Sequence, residues 1–174
     1  MTTQSNFEQG WRQVATEFHN KNDRATAILG VAFLEAHLGQ LLDSFFVKDC
    51  EDASSLLKAD RPLGTLRART QAAYCLGLIS QIEYHDLSLI AQIQHGFADR
   101  IYGAAFTDNG IRDKCFQLRL PREVQLPGET RIPRQLFIFA TAMLTQHLAW
   151  RTAQAEKNRR QIPETLMLID VDEE

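Results

Sequence analysis

The sequence predicts an all-α protein, folded as a single-domain helical bundle of about five to seven helices. Three observations favour this fold class. Apolar residues recur at three- and four-residue steps through most of the chain. Helix start and stop signals separate these stretches, and no stretch shows the convincing two-residue alternation of a strand. The length of 174 residues is sufficient to bury a substantial core.

Composition and chain ends favour a cytoplasmic protein. The domain prediction assigns residues 1–160 to one helical domain and residues 161–174 to an acidic tail that we expect to be frayed. The formal net charge of −3 argues against a general nucleic-acid-binding surface. The N-terminus lacks the features of a signal peptide, and polar residues interrupt the apolar stretches, so we expect no membrane span. Cys50, Cys75 and Cys115 lack metal-ligand spacing, which predicts reduced thiols, with Cys75 buried.

The N-terminal part of the chain predicts two helices and a polar connector. The first helix spans residues 6–20, and the second begins at an Asp23 N-cap and runs to about Val47. Glu35 lies in the middle of the apolar stripe of this second helix, and an isolated carboxylate is costly to bury. We therefore expect Glu35 either to pair with a neighbouring arginine or to lie at a cleft. The connector has room for a short helix at residues 54–58.

The central stretch, residues 61–108, predicts two helices joined at Gly77. Pro62 suits the first turn of a helix, where its missing N–H costs nothing. Gly77 is the usual kind of residue to end a helix. Ser80 and Glu83 then form the S-x-x-E pattern of a capping box, which predicts the start of the next helix.

The C-terminal part predicts a short helix, a connector and a long last helix. Asp108 is placed to cap the short helix, which continues to about Leu118. Residues 121–133 contain three prolines and a glycine, and so predict a connector. The last helix extends from Arg134 to about Arg160, and its end turns polar and basic.

The sequence does not favour a DNA-reading helix. Residues 69–88 superficially resemble a helix-turn-helix, but Glu83 and Asp86 occupy positions where that motif requires apolar residues. Between residues 80 and 96 the chain has no lysine or arginine to contact phosphates or guanine edges. Direct DNA binding is therefore not expected.

The chain also lacks motifs for catalysis, metals or cofactors. Its five histidines include no HExxH or Glu-x-x-His pair, and it has neither a P-loop nor a GxSxG motif. Some small helical nucleases use an arginine and a histidine in the region that corresponds to residues 94–100, but Gln94 and Asp99 stand there instead. We therefore predict a non-enzymatic protein with no catalytic, metal-binding or cofactor-binding residues.

The middle of the chain contains a group of turn signals and polar residues at fixed spacing, and a Lys48-Asp49 pair precedes this group. Its members are Pro62, Leu63, Gly64, Leu66, Arg69, Tyr74, Leu76, Gly77, Ile79, Glu83, Tyr84, Asp86, Phe106, Thr107, Asp108 and Ile111. This group resembles the mannitol operon repressor family of bacterial regulators, over about residues 25–120. The resemblance implies an all-helical fold without a recognisable DNA-binding domain, and repression of a sugar-alcohol operon through partner proteins.

Two alternative roles remain open for the polar residues of this region. The candidate polar cluster comprises Glu35, Arg67, Arg69, Tyr84, Asp86 and Asp108. In the structural alternative, Arg69 pairs with Glu35 or Asp86 across a helix interface, and the Tyr84 hydroxyl is hydrogen-bonded. In the binding alternative, the cluster rims a pocket for a small ligand or a partner side chain.

Two classes of function follow. The first is a non-enzymatic bacterial regulator in transcriptional control, which acts through protein–protein interaction, with a homodimer left open. Its contact surface would use apolar residues left over after packing, with Phe33, Phe46, Phe137 and Phe139 as candidates. The second is a helical RNA- or small-ligand-binding module without intact nuclease chemistry. Its candidate contacts are the basic residues Arg67, Arg69, Lys157, Arg159 and Arg160.

Overall fold

The predicted all-α fold class is confirmed. The computed structural model describes residues 16, 18, 21–100, 103–123 and 132–163, which form seven helices and no strand. In chain order they are α1 (Asp23–Phe45), α2 (Glu51–Leu56), α3 (Leu66–Cys75), α4 (Gln81–Ala98), α5 (Asn109–Gln117), α6 (Leu120–Glu123) and α7 (Pro133–Lys157). The helix predicted at residues 6–20, apart from residues 16 and 18, and the tail from residue 164 onwards lie outside the described residues.

The two longest helices, α1 and α7, pack side by side and run parallel. Near their starts, the Arg134 guanidinium lies 3.2 Å from the Asp23 carboxylate. Near their ends, Arg159 donates a hydrogen bond of 3.0 Å to the carbonyl of Asp43. The helices approach closely at Gly30, where an added Cβ would lie 2.8 Å from the Phe137 ring. A larger residue at this position would push the two helices apart.

Helix α4 crosses the bundle antiparallel to α7. Its first turn contacts the C-terminal half of α7, where Arg151 donates to Glu83. Towards its end, Phe97 packs on Phe106, which in turn packs on Phe137 near the start of α7, with ring centroids 4.9 Å and 5.1 Å apart. The core between α1, α4 and α7 is built from fully buried aliphatic residues, among them Leu34, Leu38, Leu41, Leu42, Leu87, Ile90, Ile93, Leu144 and Leu148. Burial of this apolar surface is the main stabilising term of the fold.

Two predicted boundaries before residue 60 are wrong. The N-cap of α1 is Asn22, whose side chain accepts a hydrogen bond of 2.8 Å from the Ala25 N–H. Asp23 is instead the first helical residue, and its carboxylate makes contacts with distant parts of the chain. The short helix α2 also begins three residues before the predicted position, because the acidic residues Glu51 and Asp52 favour a helix N-terminus.

Helix α3 begins at Leu66 and not at Pro62. Thr65 is its N-cap and accepts a hydrogen bond from the Ala68 N–H. The segment before it forms a turn, in which the Gly64 N–H donates a hydrogen bond of 2.8 Å to the Arg61 carbonyl. An added Cβ on Gly64 would lie 2.3 Å from the Ala59 carbonyl oxygen. Only glycine fits such a close backbone approach.

The predicted junction between α3 and α4 is confirmed. Gly77 has a φ of +69°, its N–H bonds to the Tyr74 carbonyl, and the Leu78 N–H bonds to the Ala73 carbonyl. This is the Schellman arrangement of a helix C-terminus. Immediately afterwards, the capping box of α4 forms with both of its hydrogen bonds present.

The prediction that Cys75 is buried is wrong. Cys75 lies exposed in the last turn of α3, whereas Cys115 on α5 is the fully buried thiol. Burial raises the pKa of Cys115 to about 12. The Cys115 thiol is therefore protonated at neutral pH and behaves as a core residue.

By length and hydropathy alone, α1 meets the criterion for a helix that could span a membrane, which we expected no stretch to meet. Among the described residues it is the one helix that meets this criterion of length and hydropathy. Within the fold, α1 packs against α3, α4 and α7. The central helix of a soluble bundle meets the same criterion because one of its faces lies in the core.

Candidate functional site

The structure distributes the candidate polar cluster over four places. Arg69 meets the backbone of Glu35 inside the fold. Asp86 is buried beneath the start of α6, and Asp108 closes the loop before α5. Arg67 and Tyr84 line one surface groove. The six residues therefore do not form a single site.

Arg69 joins α3 to two neighbouring segments. Its guanidinium donates hydrogen bonds to three backbone carbonyls, at 2.7 Å to Leu63, 2.6 Å to Glu35 and 2.6 Å to Leu57. The predicted pairing of Arg69 with a carboxylate of Glu35 or Asp86 is therefore wrong. Glu35 is half-buried, and its carboxylate makes no hydrogen bond or ion pair with the described residues. Leu57 and Leu63 belong to the connector before α3, and Glu35 belongs to α1, so Arg69 binds backbone carbonyls of both segments in place of a carboxylate.

Asp86 is fully buried and holds the start of α6 from a distance. Its carboxylate accepts hydrogen bonds from the backbone N–H groups of Arg119 and Leu120, at 2.9 Å and 2.8 Å, and lies 2.9 Å from Nδ1 of His85. A carboxylate at a helix N-terminus satisfies N–H groups that have no partner within the helix. Asp86 therefore caps α6 although it belongs to α4.

Asp108 occupies the N-cap position of α5, but its side chain does not cap that helix. The carboxylate instead accepts a hydrogen bond of 3.0 Å from the Ala105 N–H and pairs with Arg100 at 2.6 Å. The sequence-based prediction of a side-chain cap is wrong because the preceding loop folds back and competes for the same oxygen.

Arg67 and Tyr84 lie along a groove of about 750 Å³ between α3, α4 and α5. The Tyr84 ring stacks on the Tyr74 ring, with the centroids 4.5 Å apart. Of the six predicted residues, these two share a surface concavity.

Sequence reasoning missed the wider role of Glu83, which is 2% exposed. Besides the capping box, its carboxylate accepts a hydrogen bond of 2.8 Å from Arg151 Nε and lies 3.3 Å from His147 Nδ1. Burial alone would raise the pKa of Glu83, but hydrogen bonds from His147, Arg151 and Ser80 lower it from 4.5 to about 2. A signal was present in the sequence, since Glu83 falls on a core position and His147 and Arg151 lie four residues apart on one helix face.

Arg134 is a second polar anchor that sequence reasoning missed. Its guanidinium donates to the carbonyls of Phe18 and Lys21, at 3.0 Å and 2.8 Å, and to the Asp23 carboxylate. The other oxygen of Asp23 accepts a hydrogen bond of 3.0 Å from the Phe106 N–H. This network fixes the start of α7 against the start of α1.

The basic residues suggested for RNA contact are largely engaged within the fold. Arg159 donates to the carbonyls of Asp43 and Phe46, and the Arg160 guanidinium lies 5.0 Å from the centroid of the Phe45 ring. Arg69 is bound to carbonyls, as described above. Three of the five suggested residues therefore already have partners within the fold. Among the residues that the structure describes, no three His, Cys, Asp or Glu side chains are grouped to hold a metal ion.

These contacts define an all-helical protein whose internal polar residues mainly tie its connectors and helix ends together. The chain matches the family model of the mannitol repressor over residues 17–167. Because this match spans most of the sequence, the protein belongs to the mannitol repressor family, as the sequence resemblance indicated.

A solved structure has the same fold. A chain in the X-ray structure of the MtlR-HPr complex from Escherichia coli superposes with a TM-score of 0.64 and 23% sequence identity. The match covers 81% of this chain and 99% of that chain. At this identity the likeness establishes the fold. No curated protein matches this sequence.

Replacement of Arg69 by leucine should destabilise the protein by about 2–4 kcal/mol, because three carbonyls lose a charged donor. Urea unfolding measures this change. The matched control is Arg67→Leu, two residues earlier on the same helix, for which a change within about 0.5 kcal/mol is expected. Equal stability of the Arg69 variant and wild type would show that the three hydrogen bonds do not support the fold.

Glu83 should give the folding stability a specific pH dependence. Its folded-state pKa lies below its ordinary value, so ionised Glu83 stabilises the fold above about pH 4.5, and this contribution is lost as the pH falls towards 2. Glu83→Gln should lower the free energy of unfolding by roughly 2–3 kcal/mol at pH 7 and by much less near pH 3. The control is Glu156→Gln, an exposed position on α7. A pH-independent effect of Glu83→Gln would contradict the assignment.

Proposed function

We propose that this protein is a non-enzymatic bacterial regulator that acts in transcriptional control by binding a protein partner in the cytoplasm, with HPr as the candidate partner. The observation that carries the proposal is the fold relative, an MtlR that was solved in complex with HPr. Membership of the mannitol repressor family supports a regulatory role.

The composition of α4 supports a protein partner over DNA. Residues 81–96 contain no lysine or arginine. Two acidic residues of this helix, Glu83 and Asp86, are buried in contacts that hold other elements in place. A recognition helix needs cations to contact the phosphates, and α4 provides none over residues 81–96. Its buried acidic residues instead hold α7 and the start of α6 in place.

The surface expected from the sequence needs revision. Phe137 is fully buried between α1 and α7, so its assignment to a partner surface is wrong. Phe33, Phe46 and Phe139 are half-buried. These three rings expose only part of their surface, so more exposed apolar residues are better candidates for a partner contact.

Three exposed apolar residues at one end of the bundle provide a better candidate. We propose that they contribute to one contact surface, which we call the Tyr–Trp surface: Tyr74 and Leu76 at the end of α3, and Trp150 on α7, which is 59% exposed. The bond between Arg151 and Glu83 brings this part of α7 to the start of α4, directly after the α3–α4 turn. Exposed aromatic residues are the type that dominates the energetics of protein interfaces.

Contacts within the protein hold the aromatic side chains of the Tyr–Trp surface in place without a partner. Tyr74 stacks on Tyr84, and the Arg151 guanidinium lies 5.9 Å from the centroid of the Trp150 ring while it binds Glu83. Such contacts reduce the conformational entropy that side chains lose on binding. An apolar surface whose side chains are already held in place therefore favours binding of a protein partner.

Replacement of Trp150 by alanine should weaken the binding of HPr from the same organism by about tenfold or more, because a central aromatic residue contributes about 2 kcal/mol or more to an interface. Isothermal titration calorimetry measures the change, and circular dichroism checks the fold. The matched control is Ile28→Ala, since Ile28 is 52% exposed near the start of α1, away from the Tyr–Trp surface. An unchanged affinity of the Trp150 variant would exclude this surface, and no binding of HPr by wild type would contradict the proposed partner.

A further inference from the structure

The groove that holds Arg67 and Tyr84 has the dimensions of a small-molecule site. Its volume of about 750 Å³ lies within the usual range of roughly 300–1,000 Å³ for ligand pockets. Three helices form it, so its shape depends on the tertiary fold. On one side α4 and α5 approach closely, since an added Cβ on Gly96 would lie 3.3 Å from Ile111 Cγ1.

The groove carries two cations that the fold does not neutralise. Arg67 is exposed, and its guanidinium makes no hydrogen bond or ion pair with any described residue. The Lys114 ammonium donates a hydrogen bond of 3.4 Å to the Gly110 carbonyl. The acidic residue of the groove, Asp99, pairs with His95 at 3.5 Å on the exposed rim. The groove is thus locally basic in a chain whose net charge is −3.

Amide side chains supply the remaining polar capacity. Gln71 on α3, together with Gln92 and Gln94 on α4, lines the groove. Within the part of the chain that the structure describes, none of the three makes a side-chain hydrogen bond. Each amide offers both a donor and an acceptor, which suits hydroxyl and carbonyl groups of a ligand.

One residue of the groove, Thr70, has a buried hydroxyl without a hydrogen-bond partner among the described residues. Thr70 lines the groove and is 2% exposed. Among the described residues, its Oγ1 is the one buried side-chain oxygen or nitrogen that has no hydrogen-bond partner. Other helical hydroxyls in this fold are satisfied, since Ser88, Thr141 and Thr145 each donate to the carbonyl four residues earlier. An unpaired buried hydroxyl costs free energy, and such groups are rare in native proteins.

From these observations we propose that the groove between α3, α4 and α5 binds a small hydrophilic organic anion, a carboxylate or a phosphate ester that also carries hydroxyl groups. Arg67 and Lys114 bind the anionic group, and the glutamine amides bind the hydroxyls. A nucleic acid fits less well, because two cations in one groove do not follow a phosphate backbone. The proposal does not depend on HPr as the partner.

Calorimetric titration of the full-length chain tests this proposal with three anions, namely inorganic phosphate, citrate and glucose 6-phosphate, and with glucose as the neutral comparison. Saturable binding of citrate or glucose 6-phosphate, without binding of glucose, is expected, and these two compounds distinguish a carboxylate from a phosphate ester. Arg67→Gln should weaken that binding by about tenfold, since a charge-assisted hydrogen bond is lost. The matched control is Arg61→Gln, an exposed arginine that does not line the groove.

A second variant separates ligand binding from stability. Thr70→Val should raise the melting temperature of the free protein, because it removes an unpaired buried hydroxyl, and should reduce the further rise on ligand addition. Absence of binding by all three anions, or binding that Arg67→Gln leaves unchanged, would overturn the proposal. If wild type binds none of the anions and Arg67→Gln loses binding of HPr, the groove would instead be assigned to the protein partner.

Discussion

The carboxylate of Glu83 is the contact on which the arrangement of the helices most depends. One oxygen closes the capping box at the start of α4, and the other binds Arg151 on α7, with His147 beside it. A nearly fully buried charge is tolerated only when it is paired and hydrogen-bonded, so the start of α4 and the second half of α7 are held in one relative position. The proposed partner surface and one wall of the groove are built on these elements.

Arg69 and Asp86 extend the same principle to the connectors. Arg69 binds carbonyls of the segment before α3, and Asp86 binds N–H groups at the start of α6. Backbone groups in irregular segments need partners when they are buried, and here single side chains from neighbouring helices provide them. Among the residues that resemble the mannitol repressor family, Arg69, Asp86 and Asp108 therefore have a common role, since each satisfies backbone groups of a neighbouring turn or connector.

Local signals in the sequence predicted most of the fold, and contacts between distant segments accounted for the errors. Gly77 and the Ser80–Glu83 pair identified a helix end and a helix start because both act over a few residues. The start at Pro62 was wrong because the chain forms a turn there, closed by a hydrogen bond from the Gly64 N–H to the Arg61 carbonyl. The partners of Arg69 were not predictable, since backbone carbonyls have no sequence signature. The groove was only partly foreseen, through Arg67 and Tyr84, because its lining comes from three helices.

The central functional claim is that this protein regulates by contact with a protein and does not read DNA. Sedimentation velocity of the purified, nuclease-treated chain tests it most directly, with purified HPr from the same organism in one sample and duplex DNA in another. We predict a faster-sedimenting, stoichiometric complex with HPr and an unchanged boundary for the DNA. A salt-dependent complex with DNA, together with no complex with HPr, would contradict the proposed function.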